Sequence, residues 1–302
     1  MYQPLYRELL RSGELQQRAE RIYQKLASCD LCPRNCQVNR IEGEIGSCGV
    51  GESAWVSSLG PHHGEEAPLR GSYGSGTIFF SGCNLSCVYC QNADISQKLS
   101  GRQVTPRDLS GFMLELQALG CHNINLVSPT HVIGQIALAI ALAAADGLTL
   151  PIVYNTGGYD ALETLRLLEG MIDIYMPDMK YSQADIGEKY SGVPDYPRTN
   201  QAAVQEMHRQ VGDLVLDSAG IARRGLLVRH LVLPEGLAGS GKIFQFIAEK
   251  ISKHTYLNIM AQYRPAYQAH RYPVLDGQLT RQEYQAVIRE AKEWGLTNLD
   301  HD

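Results

Sequence analysis

The sequence predicts an α/β protein, a partial (β/α)6 TIM-like barrel with a small N-terminal metal-binding extension. Three observations predict it. From Gly76 onward short apolar, β-prone runs alternate with helical patterns, the signal for a parallel sheet. Seven of the eight cysteines fall in two tight groups, which argues for metal coordination over a disulfide framework in a chain of this size. At 302 residues the chain is long enough for one such barrel with an appendage.

Leu15, Ala19, Ile22, Tyr23 and Leu26 recur at helical spacing, so residues 14–27 form an amphipathic helix, with a shorter one before Gly13. The helix leads into Cys29-x2-Cys32-x3-Cys36-x11-Cys48, four thiols on a segment punctuated by Pro33, Gly43, Gly46 and Gly49. Four soft ligands on turn-rich chain close a tetrahedral site with no open position. Zinc or an auxiliary iron–sulfur cluster suits that site, and a small segment with little apolar content that needs a staple favours structural zinc. The plainer reading is free thiols in a loop. Residues 50–75 are rich in Gly and Ser; within them His62-His63-Gly64-Glu65-Glu66 pairs two histidines with two carboxylates. Such a group binds metal or moves protons, or is a solvated loop, the reading that loop composition favours.

The first barrel strand is Thr77–Phe80. A helix follows with Thr105 as N-cap, Pro106 at its first position and early acid in Asp108; Leu109, Phe112, Met113 and Leu116 form its buried stripe before Gly120. Asn123–Val127 is the second strand, followed by an alanine-rich helix from about His131, whose ten-residue small-apolar run is too short to cross a membrane. Pro151–Asn155 is the third strand, after which Asp160 and Glu163 read as a capping box for a helix closed at Gly170. Ile172–Met176 is the fourth strand, and residues 182–222 are a polar, helical excursion. Leu226–Pro234 and Tyr256–Tyr263 are the fifth and sixth strands, with a helix around 243–251 between them and a last helix near 280–294. Six units make an open barrel whose site lies at the C-terminal strand ends. Cys121 reads as a small core residue.

Apolar content of 44% and charge of 20% are ordinary for a globular protein, and a net charge of -5 gives no global basic signal for nucleic acid or an acidic membrane. No nucleic-acid or membrane partner is expected. The first residues carry charge early and lack a continuous apolar core, so they do not read as a secretory signal, and a cytoplasmic location is expected.

The chemistry centres on Ser81-Gly82-Cys83-Asn84-Leu85-Ser86-Cys87-Val88-Tyr89-Cys90, directly after the first strand. Iron–sulfur cubanes are normally held by four thiolates, and soft thiolates select iron–sulfur or zinc over hard cations. Cys83, Cys87 and Cys90 at Cys-x3-Cys-x2-Cys supply three, which leaves the fourth iron of a 4Fe-4S cluster open for chemistry. The plainer alternative is three buried or zinc-binding thiols.

With Cys29-Asp30-Leu31-Cys32-Pro33-Arg34-Asn35-Cys36, Gly74–Leu85 and Arg229-His230-Leu231-Val232-Leu233-Pro234 in view, the chain resembles the radical S-adenosylmethionine (SAM) proteins related to the pyruvate formate-lyase activating enzyme, in the subgroup with an N-terminal four-cysteine extension. The resemblance covers nearly the whole length. It implies the radical SAM type of six-unit barrel, a 4Fe-4S cluster whose open iron SAM chelates, and an oxidoreductase-type enzyme that abstracts hydrogen from a protein, peptide or small molecule. It implies an external one-electron reductant such as flavodoxin or ferredoxin. By the same resemblance Tyr89 lies against the adenine, Asp178-Met179-Lys180 contacts SAM, and Arg229 stands near the SAM carboxylate, which a cation suits.

Three positions depart from the activating enzymes. Ser128-Pro129-Thr130-His131 stands where they carry Gly-Gly-Glu, and Ser128 and Thr130 offer hydroxyls as SAM contacts instead. Asn155-Thr156-Gly157-Gly158 replaces Asp-Thr-Asn-Gly, with Asn155 as the contact, and Tyr263-Arg264 replaces a Tyr-His pair. The nearest named family implies a glycyl radical enzyme as the partner substrate. The altered pocket, the excursion at 182–222 and the tail point to a different substrate site. The expected organisation is an N-terminal extension at 1–75, the barrel at 76–265 and a helical tail at 266–302. The competing class is an iron–sulfur electron carrier or metal-binding scaffold without SAM chemistry.

Overall fold

The computed structural model describes residues 2–300; Met1, at the head of the N-terminal extension, and His301 and Asp302, at the end of the tail, lie outside the described residues. Its strands are β1 (Ala54–His62), β2 (Ser75–Phe80), β3 (Arg102–Val104), β4 (Ile124–Val127), β5 (Ile152–Thr156), β6 (Ile174–Pro177), β7 (Val215–Leu216), β8 (Ala222–Leu231) and β9 (Tyr256–Met260). The order β3-β1-β2-β4-β5-β6-β8-β7, with β9 also on β8, contains the six parallel strands β2, β4, β5, β6, β8 and β9. Among the described residues β9 does not pair with β2, so the barrel is open, as the six strand–helix units imply.

Local chemistry starts the helices. Thr105 and Asp108 form a reciprocal capping box ahead of Pro106–Ala118, and Thr280 and Glu283 do the same for Arg281–Glu293. The alanine-rich helix Ile133–Ala145 is buried along most of its length because the amphipathic helix Glu14–Gln24 lies against it. Gly134 permits that approach: a Cβ there would sit 3.3 Å from the Tyr23 Cα. The N-terminal helix therefore shares one hydrophobic core with the barrel, through Leu15, Ile22 and Leu26 against Ile133, Ile136 and Ile140. Cys121 is buried in the same core, as expected.

Two parts differ from the sequence reading. Residues 50–75 contain a full edge strand, β1, antiparallel to β2 in the same sheet. Its alternation is blurred by Gly60 and Pro61, and Pro61 is tolerated because β3 covers only Ala54 to Val56, leaving the far half of the strand at a sheet edge. Asp160 is no helix cap: Leu162–Leu167 has Ala161 at its N-cap with no side-chain bond, and the Asp160 carboxylate turns inward. The polar excursion is helical as expected, with Ala184–Ser191 and Tyr196–Val211, and ends in β7 and an earlier start to the fifth barrel strand.

Candidate functional site

The parallel ladder continues past the strand ends. Ser128 N–H donates to the Asn155 carbonyl at 2.9 Å, Asp178 N–H to Thr156 at 2.9 Å and Met179 N–H to Arg229 at 2.8 Å. These bonds set Ser128, Asn155, Asp178 and Arg229 side by side at the C-terminal rim. Opposite them, β2 delivers the cysteine loop. All ten residues expected there, Cys83, Cys87, Tyr89, Cys90, Ser128, Thr130, Asn155, Asp178, Lys180 and Arg229, line one cavity of about 270 Å³. Ser128 adopts a left-handed backbone with φ 58, a conformation costly for a non-glycine residue and typical of functional sites.

The three thiols face the cavity from one side. Cys83 Sγ accepts from the Leu85 N–H at 3.4 Å, Cys87 Sγ lies 2.9 Å from Ser191 Oγ, and Cys90 Sγ lies 3.2 Å from Ser96 Oγ. Burial pushes the Cys83 thiol up to about 12, and the nearby Cys87 and Cys90 sulfurs add to it. The Cys87 thiol is also raised by burial, against the pull of Lys180. Such thiols ionise together only when a cation arrives with them. Among the described residues no three His, Cys, Asp or Glu side chains converge as they stand on one metal-ion position. In a cluster each thiolate binds a different iron, so the sulfurs stand farther apart than the roughly 3.8 Å that bonds of about 2.3 Å impose around one tetrahedral ion. Three thiols spread around a cavity, each with a hydroxyl or amide beside it, fit a cluster's donor set.

The other side is electrostatic. Asp178 accepts from Lys180 Nζ at 2.6 Å and from Arg229 Nε at 3.0 Å. Burial pushes the Asp178 carboxyl up, but Arg229 and Lys180 together hold it below its ordinary value. Burial opposes the charge of Lys180 and of Arg229, yet Asp178 keeps both ammonium and guanidinium proton affinities raised. Two cations contact this one carboxylate, and Glu66 and Glu65 act on Arg229 from farther off; Lys180 and Arg229 are the cavity's cationic side chains for an anionic ligand group.

Several site residues escaped the sequence reading. Asp160 accepts from Thr130 Oγ1 at 2.8 Å, Tyr154 Oη at 2.9 Å and Thr156 Oγ1 at 2.7 Å, fixing two hydroxyls of the cavity wall. The 184–191 helix and the tail close over the cysteine loop: Val88 N–H donates to Tyr190, and Gln268 N–H donates to Val88. From Cys87 a buried chain of hydroxyls runs through Ser191 and Tyr181 to Tyr89, with 2.8 Å and 2.6 Å between successive oxygens. The His62–Glu66 segment is a solvated loop only in part: His63 and Gly64 are exposed, while its two carboxylates are not. Glu66 is buried and accepts from Asn258 Nδ2 at 2.9 Å, while half-buried Glu65 is pushed up to about 7 by burial, against Arg229 and with Glu66. Among the described residues neither histidine is hydrogen-bonded or ion-paired to the carboxylates, and His62 packs edge-on against Phe79.

The four N-terminal cysteines do not line the cavity. They lie close enough to act on one another, although among the described residues no three of them converge as they stand on one metal-ion position: burial raises the Cys32 thiol to about 12, and Cys48, Cys29 and Cys36 add to the effect.

Fold and site define an open parallel α/β barrel with a thiol-lined cavity at its C-terminal rim. The chain belongs to the family of the uncharacterized protein MJ0674 of Methanocaldococcus jannaschii, to which it is 31% identical over 276 residues, 89% of this chain and 75% of that protein. It is 27% identical over 188 residues to the uncharacterized protein MJ0808 of the same organism, covering 55% and 54% of the two chains. No family model matches. Among solved structures it is similar to a radical SAM methyltransferase from Sphaerobacter thermophilus, with TM-score 0.48 and 13% identity over 72% of this chain and 66% of that one. It is also similar to native anSMEcpe with bound AdoMet, with TM-score 0.48 and 12% identity over 71% and 57%. No helix among the described residues is long and apolar enough to cross a membrane.

Proposed function

We propose that the chain is a radical SAM enzyme. The observation that carries this reading is the meeting of Cys83, Cys87 and Cys90 with Lys180 and Arg229 on one cavity. Cys83, Cys87 and Cys90 would hold a 4Fe-4S cluster that, once reduced, would supply the one electron for cleavage of the C5′–S bond of bound SAM to methionine and a 5′-deoxyadenosyl radical able to take a hydrogen atom from the substrate. The chain's own residues hold and orient. Lys180 and Arg229, levelled by Asp178, face a carboxylate; Ser128, Thr130 and Asn155 offer hydrogen bonds to an amino or ribose group; and buried Tyr89 forms an apolar wall for adenine. Helix 184–191 and the tail over the cysteine loop exclude water.

In this reading the electron comes from an external one-electron donor such as flavodoxin or ferredoxin, and the hydrogen comes from a protein, peptide or small molecule in activating-enzyme fashion. Cys29, Cys32, Cys36 and Cys48 hold zinc or an auxiliary cluster beside the barrel. Anaerobic protein reconstituted with iron and sulfide, reduced and given SAM, is expected to release 5′-deoxyadenosine, and Cys83→Ala, Cys87→Ala and Cys90→Ala each to abolish release. A reconstituted cluster whose spectrum does not change on adding SAM, with no 5′-deoxyadenosine formed, overturns the reading in favour of an electron carrier.

A further inference from the structure

Arg40 is 1% exposed, yet among the described residues no carboxylate pairs with it. Its Nε donates to the Gly51 carbonyl at 3.0 Å and its Nη1 to the His131 carbonyl at 2.7 Å, while Nη1 also points at Cys29 Sγ, 3.7 Å away. Nη2 is buried with no hydrogen-bond partner among the described residues. A guanidinium keeps its proton even when buried, so the charge has to be balanced where it sits. Carbonyl dipoles satisfy donors but do not cancel a unit charge. Of the nearby groups able to carry negative charge, the Cys29 thiol is the one in contact with Arg40, and the Arg40 charge also reaches Cys48; the carboxylate of Glu52, next to Gly51, is instead committed to Tyr23 Oη at 2.7 Å.

We propose that Arg40 is the internal counter-ion of a metal held as a thiolate anion by Cys29, Cys32, Cys36 and Cys48, and that this site braces the Cys83 loop. The inference deepens the reading of those cysteines as a metal site and does not depend on SAM chemistry. Four thiolates around a zinc ion, or around a 4Fe-4S core of the same charge, carry a net charge of about −2. Either source gives Arg40 its missing anion. The bracing follows from the same residues. His131, tied to Arg40 through its carbonyl, donates Nε2–H to the Ser81 carbonyl at 2.8 Å. The position of a Cβ on Gly82 lies 2.8 Å from the Cys48 carbonyl oxygen and from Val50 Cγ2, and 3.0 Å from His131 Nε2. The backbone of the last N-terminal ligand thus rests on the residue before the first cavity thiol.

The test uses the full chain with Cys83, Cys87 and Cys90 all changed to Ala, so that only the N-terminal metal is counted and failure of the radical SAM reading cannot affect the result. In that background the anaerobically purified protein is expected to retain metal. About one zinc per chain identifies a single ion, and iron with matching sulfide identifies a cluster. Arg40→Met is expected to lose metal to a competing chelator at least about tenfold more readily, with Arg40→Lys keeping most of the affinity. The sign then inverts: when Cys29 and Cys32 are also changed to Ser and no metal binds, Arg40→Met is expected to raise the melting temperature. A folded background protein that binds no metal, unchanged retention in Arg40→Met, or an equal loss of melting temperature with and without the N-terminal thiols overturns the counter-ion role. With the cavity thiols restored, Cys29→Ser/Cys32→Ser is expected to speed amide exchange across residues 82–90, and unchanged exchange overturns the bracing.

Discussion

Asp178 and Arg229 meet across the gap between β6 and β8, carboxylate to Nε at 3.0 Å, and the other Asp178 oxygen holds Lys180 at 2.6 Å. One carboxylate contacts both cations in a site where all three side chains are mostly covered, with Glu66 and Glu65 acting on Arg229 from farther off. Removing one partner of a buried ion pair leaves an uncompensated charge, at a cost of about 3–5 kcal/mol. Asp178→Asn is therefore expected to lower unfolding stability by about that amount in denaturant titrations near neutral pH. The depressed Asp178 pKa fixes the sign of the pH effect. Its contribution is present above the unfolded carboxylate value, about 3.9, and fades as pH falls through the lower folded value. Wild type and variant should converge in strong acid, and a pH-independent difference would count against this ion triad.

Asp160 carries a different load, three hydroxyl donors at 2.7 to 2.9 Å in a fully buried pocket. An amide at this position still accepts, but its nitrogen meets hydroxyls already committed as donors. Asp160→Asn is expected to cost about 2–3 kcal/mol, hydrogen bonds to a charged group being worth roughly 1.5–3 kcal/mol each. In the enzyme reading the same change loosens Thr130 on the cavity wall and raises the apparent KM for SAM more than it lowers kcat. A variant with unchanged stability would show that the three hydroxyls find other partners.

Of the ten cavity residues, the three cysteines were legible from a local signal, thiol spacing after a β run, whereas Tyr89, Ser128, Thr130, Asn155, Asp178, Lys180 and Arg229 came from the family resemblance, helped by the position of most of them at strand ends. The six parallel units were likewise legible from local signals. Asp160 misled because Asp three residues before Glu is also the pattern of a helix cap, while its true partner Thr130 lies 30 positions earlier. Ser191 beside Cys87 is separated from it by 104 positions, and Arg40 beside His131 by 91, distances at which one sequence carries no periodic signal. β1 was hidden by Gly60 and Pro61, residues that mark loops except at a sheet edge. Glu65 and Glu66 read as solvated because burial of a charged pair is rare and depends on partners such as Asn258, brought in by the last barrel strand.

Gly82 has φ 85, and a methyl group there would overlap the Cys48 carbonyl oxygen at 2.8 Å, a backbone atom that cannot swing away. Gly82→Ala combines the left-handed penalty of about 1–2 kcal/mol with overpacking of about 1–3 kcal/mol. The expected loss is about 2–5 kcal/mol by thermal or chemical unfolding and, in the enzyme reading, comes with weaker retention of iron by the adjacent Cys83 loop on gel filtration. Gly111, where nothing lies within 4 Å of the added carbon, is the control: Gly111→Ala in the helix Pro106–Ala118 is expected to be neutral or to stabilise by up to about 1 kcal/mol. Equal behaviour of the two variants would contradict the close packing of Cys48 on Gly82.

Glu65 gives the pH prediction with the opposite sign to Asp178. Burial, with Glu66 beside it, raises its pKa from 4.5 to about 7 in the folded chain despite the pull of Arg229, and Asn125 is its other polar neighbour. Between those two values the folded state holds a proton that the unfolded state has released, so stability falls as pH rises through the window. Below the window both states are protonated, and above it the folded state carries the full cost of a charged carboxylate. Glu65→Gln cannot ionise and lacks this slope. Because other groups also titrate, the readout is the difference between variant and wild type: the variant should gain about 2 kcal/mol relative to wild type between pH 4.5 and pH 7.5, a figure already reduced for partial exposure of the carboxylate. A difference that stays constant across that range would mean Glu65 titrates at its ordinary value and does not sense Glu66.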